Sequence, residues 1–155
     1  MNRILSIATI LIILSSSLCG CSPTQTFSVA ETGGSIYINA SIYNKNVSQG
    51  EMVEFFSTVK HDVQDNFTIV VRAIPESGNK WKFALCYETE CFISNGDKVI
   101  EKRIDLSPNS SMEFDVKIFA PEQVSVGDSS TIKFEVQSTT SPQAVNSVSF
   151  TATVK

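Results

Sequence analysis

A chain of 155 residues with 42% hydrophobic and 18% charged content has room for one packed domain and is too apolar to be disordered. Its formal charge of −4 comes from 12 basic and 16 acidic residues, with the basic ones unclustered. That excludes nucleic acid as a partner class, because phosphate binding needs grouped Lys and Arg, and it excludes attachment to anionic lipid by surface charge.

The chain opens with Met1-Asn2-Arg3, a short positive stretch, followed by an apolar run over 4–14 broken by Ser6 and Thr9. The run is too short for a comfortable transmembrane span, and its layout is that of a secretory signal peptide. After Ser15-Ser16-Ser17 comes Leu18-Cys19-Gly20-Cys21, which resembles the lipobox of bacterial lipoproteins. An aliphatic residue stands at −3, a small one at −1, and then the Cys that becomes the new N-terminus. The resemblance implies cleavage after Gly20, diacylglycerol on the sulfur of Cys21, and acylation of its amine by a palmitate-class chain. Two or more acyl chains anchor a protein stably. The expected location is extracytoplasmic, on the cell membrane or the outer membrane, facing the cell envelope. Cys19 would leave with the peptide.

Residues 22–35 are rich in Ser, Thr and Gly and read as a tether reaching at most roughly 50 Å. Within it, Phe27 and Val29 are spaced for a short first strand. The expected division is signal peptide over 1–20, lipidated Cys and tether over 21–34, and a folded domain over 35–155.

From residue 36 the pattern is alternation, the period of half-buried strands. Ile36, Ile38, Ala40 and Ile42 are expected on the inner side, with Tyr37, Asn39, Ser41 and Tyr43 outward. Residues 44–50 read as a turn. A second strand covers 52–59, with Val53, Phe55, Ser57 and Val59 inward. After a polar turn over 61–66, Phe67, Ile69, Val71 and Ala73 line a third strand, broken at Pro75. Trp81, Phe83 and Leu85 alternate with Lys82 and Ala84 in the strand expected at the centre, with Trp81 in the core. Asn95-Gly96-Asp97 is a turn signal. Strands follow over 99–106, 112–118 (inner Met112, Phe114, Val116, Ile118), 132–136 and 148–154. About eight short strands and no helical period argue for an all-β antiparallel sandwich of two sheets.

Several runs carry a resemblance. These are Gly50-Glu51-Met52-Val53, Ile74-Pro75 before Trp81, Cys86 and Cys91, 106–111 before a strand, Ala120-Pro121, and Val126-Gly127-Asp128. Together they resemble bacterial and archaeal immunoglobulin-like domains related to fibronectin type III, of the kind found beside α-galactosidase-type glycosidases. The resemblance implies an immunoglobulin-like sandwich of about 7–8 strands and supplies no catalytic residues.

Outside the cytoplasm, two cysteines flanking a four-residue polar segment most often form a disulfide, so Cys86 and Cys91 are expected to pair. A redox thiol would instead want Cys-X-X-Cys at a helix start, and Glu88 and Glu90 would raise a thiol pKa. Among soft ligands Cys86, Cys91, His61, Met52 and Met112, only the cysteines have ligand spacing, and the two Met sit at expected core positions. No metal or cofactor is expected. His61 reads as an exposed turn residue beside Asp62, with no serine motif, and the acidic residues are scattered, so no catalytic set is expected. Tyr37, Tyr43 and Tyr87 fall on outward or loop positions and are the candidate ligand-contacting aromatics. The expected function is a non-enzymatic, lipid-anchored module for protein or cell-envelope interaction. The alternatives are a carbohydrate-binding surface and an extracytoplasmic thiol oxidoreductase using Cys86 and Cys91.

Overall fold

The structure is a computed structural model and describes residues 26–29, 36–78, 81–140 and 145–155. The expected signal peptide, Cys21 and most of the expected tether lie outside the described residues. Among the described residues no helix is long and apolar enough to cross a membrane.

The described chain forms two packed sheets, as the alternation predicts. A six-stranded sheet runs in the order β1 (Thr26–Val29), β2 (Ile36–Ala40), β4 (Met52–His61), β9 (Ser111–Phe119), β6 (Lys82–Tyr87), β7 (Glu90–Ser94). A five-stranded sheet runs β3 (Asn44–Val47), β11 (Val145–Val154), β10 (Ser129–Ser138), β5 (Phe67–Gly78), β8 (Ile100–Leu106). The β3–β11 pairing is parallel and the other ladders are antiparallel. Phe55, Phe83, Leu85, Phe114 and Ile118 of the first sheet share one buried core with Ile69, Ile132, Phe134 and Phe150 of the second. Each such side chain contributes about 1.5–3 kcal/mol when fully buried. Trp81, just before β6, is 1% exposed and belongs to this core.

The strands outnumber the expected eight because single runs divide and short ones add at the edges. The run over 36–47 read as one strand and a turn. It is two strands in different sheets: the chain leaves the six-stranded sheet after Ala40 and enters the edge of the five-stranded one at Asn44, parallel to β11. The alternation changes phase at this crossing. Ile42, expected inward, is exposed. Tyr43, expected outward, lies against the core, its ring stacked on Phe150 and its hydroxyl donating to the Ala40 carbonyl at 2.7 Å.

Pro75 does not end β5. The register on β10 shifts there, Ile132 facing Pro75 and Thr131 facing Ser77, which leaves Glu76 as the extra residue of a bulge. Beyond Ala73, β5 has lost its β8 neighbour, so the missing Pro75 amide leaves no partner on that side unsatisfied. Within the expected tether, Thr26–Val29 pairs with β2 as an added edge strand.

His61 is not in an exposed turn. It closes the inner row of β4 and is 4% exposed. Its Nε2 donates to the Ser107 carbonyl at 2.8 Å, and its Nδ1 accepts the Val63 amide at 3.3 Å, which sets the tautomer. Its ring stacks on Phe67. Met112 packs at the core margin as expected, but Met52 has the parity of Glu54 and Phe56 and is exposed.

Candidate functional site

The two outward faces of the sandwich differ in chemistry. On the five-stranded sheet, Arg72 of β5 is held by Glu101 of β8 at 2.6 Å and by Glu135 of β10 at 3.1 Å. Lys133 continues the ladder to Glu135 and Glu76, and Glu76 accepts from Ser149. Thr68 donates to Asp105 and Thr131 meets Thr151. The Glu101 hydrogen bond raises the Arg72 guanidinium pKa further, against the opposing effect of burial. This face is polar, mutually paired and suited to water.

The six-stranded sheet presents a different surface. Its registers align outward residues in rows across the strands. One row runs Phe56 (β4), Asp115 (β9), Cys86 (β6), Cys91 (β7); the next runs Glu54, Lys117, Ala84, Ile93. Phe56 is 63% exposed and Ile93 58% exposed. Phe55 and Phe56 are adjacent in sequence, so in a strand one of the two must face outward. The two lie on β4 and β7, with β9 and β6 between them, so this face carries exposed apolar side chains on both sides of Asp115 and Cys86.

Cys86 and Cys91 are joined by a disulfide and face one another in the β6–β7 ladder, with Cα atoms 4.1 Å apart. The expected pairing is therefore present. It closes a hairpin whose turn holds Glu88 at φ 51°, the left-handed region that a non-glycine residue enters only at a cost. The hairpin cross-link supplies local constraint where the turn residue supplies strain.

Between Phe56, the disulfide, Tyr87 and Met112 lies an open cavity of about 590 Å³, whose lining also includes Glu88, Glu113, Asp115 and Lys117. Asp115 is the unusual member. Its side chain is only 14% exposed, its Oδ2 lies 3.2 Å from Lys117 Nζ, and its Oδ1 is buried without a hydrogen-bond partner. Burial is the main cause that pushes its carboxyl above the usual carboxylate range; Lys117 opposes the rise and Glu54 adds to it. Lys117 itself is held charged, first by its 2.6 Å bond to Glu54 and then by Asp115.

The three candidate tyrosines do not form one platform. Tyr37 lies on the outward side of β2, Tyr43 packs on Phe150, and Tyr87 sits at the end of β6 against Phe92 and Phe114. Burial, then Glu90 and Glu88, push the Tyr87 phenol pKa up. Only Tyr87 belongs to the cavity. Phe56 and Asp115 were not singled out in the sequence, because what brings them together is a pairing of strands far apart in the chain. Among the described residues no group of three or more His, Cys, Asp or Glu is placed to hold a metal ion.

No protein-family model matches the chain, and no curated protein matches it. Solved structures are similar to it at low identity. A family 123 glycoside hydrolase from Clostridium perfringens, described for glycolipid glycan hydrolysis, is 10% identical with a TM-score of 0.53 over 74% of this chain. The match takes in 23% of that enzyme, so this chain spans less than a quarter of its length. The N-terminal domain of PorA is 13% identical, with a TM-score of 0.46 over 83% of each chain. At these identities the first match supports the β-sandwich fold alone.

Proposed function

We propose that this protein is a non-enzymatic, lipid-anchored extracytoplasmic module, and that it binds a protein of the cell envelope through the outward face of its six-stranded sheet. The observation that carries the reading is the contrast between the two faces. One is a paired ladder of charges; the other exposes Phe56 and Ile93 around a disulfide. The disulfide fits an oxidising compartment outside the cytoplasm. The lipobox resemblance at Leu18-Cys19-Gly20-Cys21 supplies the anchor, with Cys21 as the acylated residue. An immunoglobulin-like sandwich suits this role because its rigid sheets hold an interaction face at a fixed orientation above a short tether.

Two measurements test the reading. In cells fed labelled palmitate, the wild-type chain should take up label and Cys21→Ala should not; label surviving in the variant means that the anchor is elsewhere. A pull-down from the envelope of its own cells should retain a partner on the wild-type protein and lose it on Phe56→Ser with Ile93→Ser. A partner retained equally by that double variant removes the face from the proposal.

A further inference from the structure

The cavity beside the disulfide has a chemistry more specific than an apolar contact. Its apolar and aromatic lining is Phe56, Tyr87, Met112, Phe114 and the Cys86–Cys91 bridge. Its charged lining is Glu88, Glu113, Asp115 and Lys117, and Lys117 is already engaged by Glu54 and Asp115. The balance is therefore negative. Asp115 adds an acceptor, Oδ1, that no donor in the described structure reaches. A carboxylate with one oxygen left without a donor is under-satisfied where it stands, and positive charge brought to its other oxygen stabilises it.

We propose that this cavity receives an arginine side chain of the partner protein, its guanidinium on Asp115 and its flat face on the Phe56 ring. The proposal rests on the reading of this sheet face as the interaction face and deepens it by naming what the partner presents. Charge complementarity selects a cation. The exposed aromatic wall beside a carboxylate selects arginine over lysine, because guanidinium is planar, stacks on rings and donates in a fork, whereas ammonium is a compact and strongly hydrated charge. Oδ1 is closed to solvent, so an incoming guanidinium meets the carboxylate at Oδ2, the oxygen it would share with Lys117. Glu113 and Glu88, both exposed, also line the cavity and attract the cation before it docks.

The test uses the full chain in non-ionic detergent micelles, isotopically labelled, at pH 7 and low salt. The probes are acetyl-Gly-Arg-Gly-amide, the same peptide with lysine, and the same peptide with citrulline, the uncharged isostere of arginine. The arginine peptide should give saturable amide shifts clustered in 84–88 and 113–117, weakened by added salt. The lysine peptide should bind several-fold more weakly, and the citrulline peptide should give no saturable shift. Asp115→Asn should weaken the arginine peptide about tenfold and Phe56→Ala several-fold, while Glu101→Gln on the opposite face should leave it unchanged. Asp115→Asn keeps the side-chain shape and removes only the charge, so a folded variant is expected, and its amide spectrum verifies this in the same experiment. Citrulline binding as well as arginine, Asp115→Asn binding as wild type, or no saturable shift would each overturn the proposal. Failure here with a partner still lost from the Phe56/Ile93 double variant leaves the interaction face standing; failure of both removes it as well.

Discussion

Asp115 lies between the fully buried Phe114 and Val116 of β9, yet it carries a carboxylate that its surroundings disfavour in the ionised form. Burial raises its pKa more than Lys117 lowers it, so the folded chain holds this proton more tightly than the unfolded chain does. Its contribution to stability is therefore greatest below the unfolded carboxylate value of about 3.9 and is lost as pH rises through the higher folded value. Asp115→Asn, neutral at every pH, should gain stability relative to wild type between about pH 4 and pH 7, read from urea melts at the two ends. A relative stability that falls over that interval would mean that the carboxylate supports the fold. Trp81 is the opposite case. It is buried, it anchors the core, and its Nε1 has no partner in the described structure. Trp81→Ala should cost about 3–5 kcal/mol, measured by denaturant unfolding, and Trp81→Phe clearly less, since no hydrogen bond is lost with the indole. Native Trp fluorescence should be blue-shifted and should move to the red on unfolding.

At the level of strands, the inner rows were legible in the sequence because alternation with a period of two is local. Phe67, Ile69, Val71 and Ala73, or Ile132, Phe134 and Val136, need no knowledge of their partners to be placed inward. The crossing between β2 and β3 was not legible. No Gly or Pro marks it, only Ser41, and the change of phase at Ile42 and Tyr43 follows from which sheet receives the chain. The Glu76 bulge was hidden by Pro75, a residue that ends many strands but is tolerated where the strand has an unpaired side. The disulfide was legible from spacing. The Phe56–Asp115 row was not, because register between β4 and β9 is a non-local property. A further device emerges at the edges of the five-stranded sheet. Lys45 on β3 and Lys102 on β8 have inward parity, facing Ala152 and Val71 in their ladders. Each places its ammonium over an aromatic ring of the other sheet, Phe55 for Lys45 and Phe92 for Lys102, the latter at 3.4 Å from the ring centroid. Inward charges on outer strands hinder edge-to-edge pairing between copies. Lys102→Met should change monomer stability by less than about 2 kcal/mol, the scale of the lost cation–π contact, while raising the associated fraction in light scattering at high concentration. Unchanged association would make Lys102 a packing residue only.

For the whole molecule, the two outward faces differ in chemistry. The five-stranded sheet turns a paired charge ladder to water, and pairs of this kind contribute up to about 1 kcal/mol each when exposed. The six-stranded sheet turns outward an exposed aromatic, a disulfide and a carboxylate with one oxygen unpaired. The central claim is that the second face is the one that works in the cell. Site-specific photo-crosslinking tests it most directly, with p-benzoylphenylalanine introduced in place of Phe56 in one full-length chain and of Glu101 in another. Irradiated in its own cells, the chain labelled at position 56 should yield a discrete higher-mass adduct, and the chain labelled at position 101 should not. No adduct from position 56, or one of equal yield from position 101, contradicts the account.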